Sequence, residues 1–484
     1  MNADTSFLDT LSLDGRISRG RSDRAEHASD WQTRDEGVEP DVVVFAESTA
    51  DVAAVLSAAN DRGVPVTPYA AGSGLEGGAL PLEGGISLDT TGLDSIREIR
   101  PEDLQATVEA GVIGSDLNEA LERYGLFLPP MPASGSISTI GGMIATDASG
   151  MRTIRYGELA DWLLEVEVVL ADGTVTTFGS RAVKSSSGYN LKDVVVGSEG
   201  TLAIVTAATV QLAGRPEQVR RGRAVFETLD AATAAIEDAV TSGVDLATIE
   251  LMDEDSLSIA NAYSETAIPE APTVFVEFHA NHGIDREVEF CRTVFESHDA
   301  TEFEIADDER AMADLWRARE DISYALAEWR PELREGEPGD VTVPISRFGE
   351  LVRQVKAIAD EYDLLIPCFG HAGDGNLHPT ALIDPDDPEM RARERDAYGE
   401  IVQAAIDLGG TATGEHGIGL GKRKFMYDEH GTEGIRAMRA IKDAFDPNGI
   451  LNPGKIFPDD TADDPSEEST RKSANCARDG ATRE

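Results

Sequence analysis

The 484-residue chain has few cysteines and no long apolar run. Its three cysteines, Cys291, Cys368 and Cys476, show no C-x-x-C spacing, which argues against a disulfide framework, an iron–sulfur cluster or a structural zinc ribbon. No stretch of about 18 apolar residues is present, so we expect no integral membrane segment. Residues 1–24 are polar and lack the apolar core of a secretory signal, so we expect a cytoplasmic protein that reaches a membrane, if at all, through a partner.

Positive charge is also scarce. The chain has 90 Asp and Glu residues against 42 Lys and Arg, of which eight are lysines, and its formal net charge is −48. This charge would repel nucleic acid and anionic membrane surfaces. The acidic residues are spread along the chain, which is typical of a salt-adapted (halophilic) protein, because high salt screens self-repulsion. An acidic surface for a cationic partner is the alternative interpretation.

The length and the apolar content of 41% predict two or three globular domains. Residues 1–35 form a polar segment, and organised structure is expected to begin at Pro40. The pattern changes near residue 215, so we divide the chain into the following segments: 1–35, 36–215, 216–410, 411–458, and an acidic tail at 459–484 that is expected to be disordered.

Hydrophobic periodicity predicts several elements within these segments. A strand at 41–45, a helix capped by Ser48 and a strand at 64–69 lead into a glycine-rich loop. The Asp172-Gly173 pair between two apolar runs predicts a β-hairpin. Residues 311–329 predict one long helix, on which Arg319 and Ser323 share a face.

Three loops rich in small residues lie in the first half of the chain. They are residues 72–78, 138–150 and 197–201. Backbone amides in such loops bind phosphate groups. The first loop lacks the G-K-[ST] ending of a P-loop. A simple glycine-rich turn explains any one of these loops, but three together predict one large phosphate-bearing cofactor.

Histidines dominate a second set of motifs. His371 and His378 bracket the turn sequence at 373–376, and a hairpin there would bring both imidazoles together. With Glu415 they would suit Zn, Mn or Fe with open positions for a substrate; solvated loop histidines are the alternative. His416 can accept a proton at the same place only if the glycines beside it bend the backbone, because adjacent strand residues point to opposite faces.

Two groups of basic residues have both functional and structural interpretations. Arg317 and Arg319 could clamp a substrate carboxylate, or could make salt bridges in an acidic protein. The cluster at 422–424 is expected to be a solvated face, with a docking point for an anionic acceptor as the lesser alternative.

Taken in order, these motifs resemble those of the FAD-binding oxidoreductases of the vanillyl-alcohol-oxidase/para-cresol-methylhydroxylase (PCMH) superfamily. The nearest branch resembles the cytochrome-type D-lactate dehydrogenases and the glycolate oxidase flavin subunit. The resemblance covers residues 38–458 and rests on residues 68–78, 140–150, 155–157, 196–205, 340–344, 370–378, 414–422 and 446–455.

The resemblance implies an α+β fold. A two-subdomain PCMH-type FAD-binding domain would occupy residues 36–215, and an α+β cap or substrate domain with an antiparallel sheet would occupy residues 216–410. Residues 411–458 would return to the flavin site. FAD would be bound non-covalently, because the first glycine loop offers no histidine for a covalent link.

The resemblance also implies roles for individual residues. His416 would be the general base and Arg319 a substrate-carboxylate residue. The metal, zinc or manganese, would be held by His371, His378 and Glu415. The expected FAD-binding residues are Gly72, Ser73, Gly74, Leu75, Glu76, Gly77, Pro132, Ser138, Thr139, Gly141, Gly142, Thr146, Ser149, Gly150, Glu199, Gly200, Ile204 and Asn452.

The implied function is FAD-dependent oxidation of a D-2-hydroxy acid, with D-lactate to pyruvate as the first candidate. The metal would assist deprotonation of the 2-hydroxyl, hydride would pass to the flavin, and electrons would leave to a cytochrome, a quinone or an electron-transfer flavoprotein. A homodimer is possible. The alternatives are a glycolate oxidase subunit, a D-2-hydroxyglutarate dehydrogenase, a direct oxidase, and a non-catalytic electron-relay flavin subunit. The dicarboxylate is disfavoured because residues 336–339 offer no lysine for a second carboxylate.

Overall fold

The protein is described by a computed structural model that covers residues 3–32 and 37–459. Cys476 and all of the predicted acidic tail except Asp459 lie outside the described residues. No helix within the described ranges is both long and apolar enough to cross a bilayer. Cys291 and Cys368 are buried free thiols.

The N-terminal region forms a four-stranded sheet in the order β1-β2-β4-β3, in which β2, β4 and β3 are parallel and β1 is antiparallel. Its elements are β1 (Arg16–Ser18), α1 (Arg21–Glu26), β2 (Val42–Phe45), α2 (Thr49–Asn60), β3 (Val66–Tyr69) and β4 (Ile86–Asp89). The Ser48 side chain caps α2 by accepting a hydrogen bond from the Asp51 amide, as predicted.

The expectation that organised structure begins at Pro40 is wrong. β1 pairs with β2, and Leu8 is fully buried in the core of this sheet. The buried carboxylate of Asp51 accepts hydrogen bonds from the amides of Asp14 and Gly15, which fixes the segment before β1. A few well-placed contacts therefore order a segment whose composition is polar.

A second sheet has five antiparallel strands in the order β5-β6-β10-β8-β9. Residues 163–179 confirm the predicted hairpin, and Gly173 takes the positive φ of +85° that its turn needs. The elements are β5 (Ile96–Arg100), β6 (Gln105–Glu109), α3 (Gly114–Glu122), β7 (Leu126–Phe127), α4 (Ile140–Thr146), α5 (Thr153–Tyr156), α6 (Leu159–Trp162), β8 (Leu163–Val169), β9 (Val175–Gly179), α7 (Leu191–Val195), β10 (Ile204–Gln211) and β11 (Ala213–Gly214).

The third sheet has seven strands, all antiparallel, in the order β15-β12-β14-β13-β18-β19-β17. This sheet confirms the antiparallel sheet expected for the cap domain. Its strands are β12 (Gln218–Val225), β13 (Thr248–Met252), β14 (Thr273–Ala280), β15 (Glu302–Ala306), β17 (Val341–Thr342), β18 (Cys368–Gly370) and β19 (Asn376–Pro379), and a separate pair is formed by β16 (Arg334–Glu335) and β20 (Leu382–Ile383).

Helices cover both faces of the third sheet, because its strands carry apolar side chains on both sides. One core contains residues of α8 (Leu229–Thr241), α10 (Ile284–Ser297), α13 (Phe348–Tyr362) and α14 (Pro388–Asp407). The opposite core contains residues of α9 (Glu254–Ser264), α11 (Glu309–Glu320) and α12 (Ile322–Glu328). The last helix is α15 (Met426–Phe445).

The single long helix predicted at 311–329 is wrong. The chain leaves the helix at Asp321, which separates α11 from α12 and whose carboxylate accepts a hydrogen bond from the Ser264 hydroxyl at 2.9 Å. This packing of α9 against the break outweighs the helical periodicity of the sequence. As a result Arg319 is buried and Ser323 is exposed, so the two do not share a face.

After α15 the chain returns to the first sheet. The Val66 amide donates to the Ile450 carbonyl, and the Asn452 amide donates to the Val66 carbonyl, both at 2.8 Å. Leu451 thereby forms a parallel bridge with Val66 and extends the sheet beyond β3. This return brings the C-terminal residues to the loops that follow β3.

Candidate active site

His371, His378, Glu415 and His416, which we call the histidine centre, lie together at one end of the third sheet. The β18–β19 hairpin carries the first two, and Gly375 takes a φ of +84° in its turn. His371 Nε2 and His378 Nε2 lie 3.1 and 3.4 Å from the same atom, Glu415 Oε1. These three side chains can each direct one ligand atom at a common point, so hairpin geometry does bring the two imidazoles together.

The Nδ1 atom of each of these two histidines, on the ring side away from Glu415, also has a hydrogen-bond partner. His371 Nδ1 lies 2.9 Å from Glu250 Oε1, and His378 Nδ1 lies 3.1 Å from the carbonyl oxygen of Gly339. Such outer hydrogen bonds orient metal-ligating imidazoles and set their tautomer. Two oriented imidazoles and a carboxylate fit a divalent metal, and the ligand types suit zinc or manganese.

The charges of this cluster depend on each other. Burial opposes a charged His371, but the carboxylates of Glu250 and Glu415 outweigh it and hold the pKa of His371 well above its usual range. Burial would likewise raise the pKa of Glu415, but His371 and His378 hold it well below its usual range. The metal-free cluster therefore holds a proton on His371, and binding of a divalent ion would release that proton.

Sequence reasoning missed Glu250, which lies on β13, far from the histidines along the chain. The strand register places Leu251 opposite Gly370, so Glu250 projects on the face that carries His371. One signal was available: Glu250 is the only charged residue in the apolar run 248–252. A carboxylate inside a buried strand requires a partner.

Arg319 makes its contacts with Glu250. Its Nε donates to Glu250 Oε2 at 2.9 Å, its Nη2 donates to the same oxygen, and its guanidinium lies over the ring of Phe369. Arg317 pairs with Asp314 at the surface. Both arginines therefore make ion pairs within the protein, which is the alternative that the sequence left open. Contact of Arg319 with a substrate carboxylate stays a prediction.

The carboxylate of Asp340 organises the turn that carries Glu415 and His416. Its Oδ2 accepts hydrogen bonds from the amides of Gly414, Glu415 and His416 at 2.9–3.0 Å. The turn bends as the alternation of side chains required, with Gly417 at a φ of +83°. Glu415 and His416 can therefore both face the centre.

His416 is placed as a proton acceptor would be. Its ring stacks on that of His378, with centroids 5.3 Å apart and planes 13° apart. Its Nδ1 lies 3.8 Å from Asp340 Oδ2, too far for a hydrogen bond, and is buried without a hydrogen-bond partner among the described residues. Burial, aided by the charge of Lys422, lowers the pKa of His416 to about 4 although Asp340 opposes this shift. The imidazole is thus neutral near pH 7.

The expectation that residues 422–424 form a solvated basic face is wrong for Lys422. Its side chain is fully buried, and its Nζ lies 3.1 Å from Asp340 Oδ2 and 3.5 Å from Glu76 Oε1. The physical reason is that the buried carboxylate of Asp340 needs a positive partner. Arg423 reaches Asp459, and the ammonium of Lys424 lies over the ring of Phe425.

The first glycine-rich loop and the adjoining residues 138–142 form what we call the flavin cradle. Within the described ranges, the amide N–H groups of Gly72, Ser73 and Gly74 donate to no protein acceptor. A Cβ added at Gly74 would meet no atom within 4 Å, so space is open beside these amides. Ser73 Oγ lies 3.0 Å from Ser138 Oγ, which joins the two loops. Adjacent unused amides beside open space fit a phosphate-bearing cofactor such as FAD.

Other residues of the cradle have structural partners. The Thr139 side chain caps α4 by accepting from the Gly142 amide, and the Gly141 amide donates to the Ala110 carbonyl. Thr146 donates its hydroxyl to the Gly142 carbonyl. These amides are used inside the protein, so the free donors of the cradle come from its first loop.

Residues 138–150 run from the cradle to the histidine centre. The prediction of a loop throughout this range is wrong, because residues 140–146 form α4, whose first turn the Thr139 side chain caps. Ser149 donates its hydroxyl to Glu415 Oε2 at 3.1 Å, so it lies beside the histidine centre. Gly150 packs against Met131 and Pro132 so closely that an added Cβ would lie 2.4 Å from the Met131 carbonyl oxygen. This one segment thus contacts both candidate binding regions.

The remaining predicted FAD residues connect the cradle with the turn that follows His416. The Glu199 carboxylate accepts from the amides of Ile418 and Gly419 at 2.8–3.0 Å. Asn452 Nδ2 donates to the carbonyls of Gly78 and Glu199 at 2.8 and 2.7 Å. The other members have the following places. The Gly77 amide donates to the Asp30 carboxylate, and Leu75 and Glu76 lie in the same loop. Gly200 packs on Pro68, and the Ile204 side chain lies in the core of the first sheet.

Comparison with known families and proteins agrees with this geometry. Residues 40–179 match the family described as "FAD binding domain", and residues 215–456 match "FAD linked oxidases, C-terminal domain". The chain is 38% identical to glycolate oxidase subunit GlcD of Bacillus subtilis, over 87% of this chain and 90% of that protein. It is 36% identical to the probable mitochondrial D-lactate dehydrogenase of Danio rerio, over 92% and 89%.

Similarity to solved structures supports the fold. The 4-ethylphenol oxidase of Gulosibacter chungangensis matches 94% of this chain and 97% of its own, with a TM-score of 0.78 and 21% identity. The p-cresol methylhydroxylase structure matches 92% and 95%, with a TM-score of 0.76 and 19% identity. The architecture is therefore the α+β PCMH-type FAD-binding fold.

Proposed function

Because the chain belongs to the FAD-linked oxidase family that includes D-lactate dehydrogenases and glycolate oxidase subunits, we propose that it oxidises a D-2-hydroxy acid, with D-lactate as the first candidate. The observation that carries the proposal is the buried histidine centre, in which three metal-ligand side chains adjoin a neutral imidazole. A segment that begins in the flavin cradle reaches this centre at Ser149.

Two groups would complete the site. The cradle would hold FAD, which would supply the two-electron acceptor for oxidation of a 2-hydroxy acid to a 2-oxo acid. His371, His378 and Glu415 would hold a divalent ion, which would supply Lewis acidity beside the substrate. Glu250 and the Gly339 carbonyl keep the two imidazoles aimed at the ion.

His416 removes the hydroxyl proton. Its Nε2 lone pair accepts the proton while Asp340, 3.8 Å from Nδ1, stabilises the imidazolium that forms. The low pKa of the metal-free state keeps this base unprotonated before substrate binds. The His416 ring stacks on that of His378, which places the base beside the proposed metal ligands.

The residues beside His378 favour a monocarboxylate substrate. The segment 335–339 supplies the Gly339 carbonyl to His378, and it carries Glu335 and Glu337. The Glu337 amide donates to the buried carboxylate of Glu394. This segment offers no lysine to a second substrate carboxylate, and burial raises the pKa of Glu335 to about 7; the lack of a cation makes D-lactate and glycolate better candidates than D-2-hydroxyglutarate.

Electrons then leave the flavin for a separate acceptor, in keeping with relatives named as cytochrome-type dehydrogenases and as an oxidase subunit. A cytochrome, a quinone or an electron-transfer flavoprotein is the proposed acceptor. A cytoplasmic location, salt adaptation and a homodimer stay predictions.

Anaerobic flavin reduction in high salt tests this function. Protein loaded with FAD and zinc or manganese is mixed separately with D-lactate, L-lactate, glycolate and D-2-hydroxyglutarate while the oxidised-flavin absorbance is followed. D-lactate should bleach the flavin and L-lactate should not. Faster reduction by glycolate would change the substrate assignment to glycolate and leave the proposed reaction type unchanged. Failure of all four, with both cofactors present, would contradict the proposal.

Removal of the metal tests whether a divalent ion takes part in the proposed reaction. A chelator should slow D-lactate reduction of the flavin by at least about 100-fold, since Lewis acidity contributes several kcal/mol. FAD content, followed by absorbance, should not change. A full rate in chelated protein would remove the metal from the reaction, and peroxide formed on admission of air would indicate a direct oxidase.

A further inference from the structure

The carboxylate of Asp340 is the most heavily hydrogen-bonded acceptor near the histidine centre. It is fully buried, and its donors come from three separate segments of the chain. Asn376 Nδ2 donates to Oδ1 at 2.8 Å. The donors to Oδ2, at 2.6–3.1 Å, are the Thr413 hydroxyl, the amides of Gly414, Glu415 and His416, and the Lys422 ammonium.

Lys422 is the only charged donor in this set. Its side chain has no exposed surface, and its Nζ also donates to the Asp340 carbonyl at 3.1 Å. Burial of an ammonium is costly unless a counter-charge lies close by. The same Nζ lies 3.5 Å from Glu76 Oε1 in the flavin cradle, and the Leu420 amide donates to the Glu76 carbonyl. Lys422 therefore stands between the cradle and the catalytic turn.

These contacts determine where Glu415 and His416 point. Three consecutive amides can reach one oxygen only if the backbone curls around it. That curl directs the Glu415 carboxylate at His371 and His378, and it stacks the His416 ring on His378. Gly414 and Gly417 flank the turn, and glycine backbones hold no shape by themselves. The shape of the turn thus depends on the charge at its centre.

We propose that Asp340 and Lys422 are positioning residues that fix the proton-accepting orientation of His416 and the metal-binding orientation of Glu415. This inference rests on the proposed function of the same site. Neither residue takes part in bond making or breaking. Besides its charge 3.8 Å from His416 Nδ1, Asp340 acts through the backbone of residues 414–416, and Lys422 acts by neutralising and locating the Asp340 carboxylate.

Lys422→Met tests the pair by removing the ammonium and keeping an apolar chain of similar length. At saturating hydroxy acid, flavin reduction should slow by about 100-fold with only a small change in KM, because a misdirected base fails in the transition state. The solvent deuterium isotope effect on flavin reduction should rise, since proton transfer becomes more rate-limiting. Zinc affinity, measured by competition with a chromogenic chelator, should fall about 10- to 100-fold.

A milder variant guards against a failure of Lys422→Met to fold. Thr413→Val removes one hydroxyl donor to Asp340 and preserves the charge pair. It should slow flavin reduction about fivefold, as expected for one lost hydrogen bond, and should raise the isotope effect in the same direction. The matched control is Lys356→Met, which removes a lysine whose carboxylate partners, Asp253 and Asp255, lie outside the histidine centre. The control should change neither the isotope effect nor zinc affinity.

The outcomes separate this inference from the proposed function. If no hydroxy acid bleaches the wild-type flavin, the proposed function fails, and the zinc affinities of the variants still decide whether the pair positions Glu415. Wild-type reduction rates and wild-type zinc affinity in both Lys422→Met and Thr413→Val would overturn the inference. Equal changes in Lys356→Met would also overturn it, because the effect would then be general destabilisation.

Discussion

In the flavin cradle the groups offered to a ligand are backbone amides, whereas in the histidine centre they are side chains. The cradle presents the N–H groups of Gly72, Ser73 and Gly74 beside open space. The centre presents imidazoles and carboxylates that are oriented by further buried charges. Backbone donors survive any substitution except that by proline, but side-chain ligands can be deleted outright. The two regions should therefore respond to mutation on very different scales.

The largest effect is expected for His416→Gln, which removes the proposed base and keeps an amide of similar size. Turnover should fall by about 10²- to 10⁴-fold, the usual contribution of a general base. FAD and metal contents, measured by absorbance and elemental analysis, should match the wild type if the metal is held by His371, His378 and Glu415; loss of metal would instead place it in the second candidate group, Asp340, His378 and His416. The control is His282→Gln, which changes an exposed histidine. Near-normal turnover in His416→Gln would mean that another group takes the proton.

A smaller effect is expected for Glu250→Gln, which keeps the shape of the carboxylate that orients His371 and removes its charge. Metal affinity should fall about 10- to 100-fold, as for other outer partners of metal-ligating histidines. FAD affinity, measured by fluorescence quenching, should stay unchanged because Glu250 has no contact with the cradle. Glu254→Gln, at an exposed position nearby, is the control. Unchanged metal affinity would show that Glu250 serves Arg319 alone.

The smallest effect is expected in the cradle, from Gly74→Ala. The added methyl group would meet no protein atom and would occupy space beside the free amides. FAD binding should weaken by about 1 kcal/mol, roughly fivefold, a typical cost for one substitution, and the melting temperature of the FAD-free protein should not change. Gly214→Ala, at an equally open position outside the cradle, is the control. If FAD binds both variants with wild-type affinity, the phosphates lie elsewhere.

How far the sequence could predict the structure depended on the distance between contacting residues along the chain. The Asp172-Gly173 hairpin and the pairing of His371 with His378 follow from local signals, namely turn chemistry and a short spacing, whereas the antiparallel third sheet was expected from the family resemblance alone. Glu415 also joined the predicted cluster, because its glycine-flanked neighbourhood implied a bent backbone. Local patterns were enough to predict a contact when the two residues lay close together along the chain or were joined by a recognisable turn sequence.

Contacts between distant residues were not predictable in this way. Glu250 meets His371 through a strand register, and Lys422 meets Asp340 through folding of the C-terminal segment. Lys422 stood in a run with two other basic residues, so burial was not suggested by its neighbours. The break at Asp321 depends on a hydrogen bond from Ser264, and the helical periodicity of residues 311–329 carries no sign of it. In each case a tertiary contact outweighed the local pattern.

The pairing of residues 450–452 with Val66 has a consequence for how the protein is made. Asn452 donates a hydrogen bond to the carbonyl of Gly78, 374 residues earlier in the chain. The Glu199 carboxylate likewise accepts hydrogen bonds from the amides of Ile418 and Gly419. A nascent chain folds from its N-terminus while synthesis continues. The strands around the first glycine loop therefore emerge long before the residues that complete them. We therefore expect the contacts around the first glycine loop to be completed only after residues 418–452 have been synthesised.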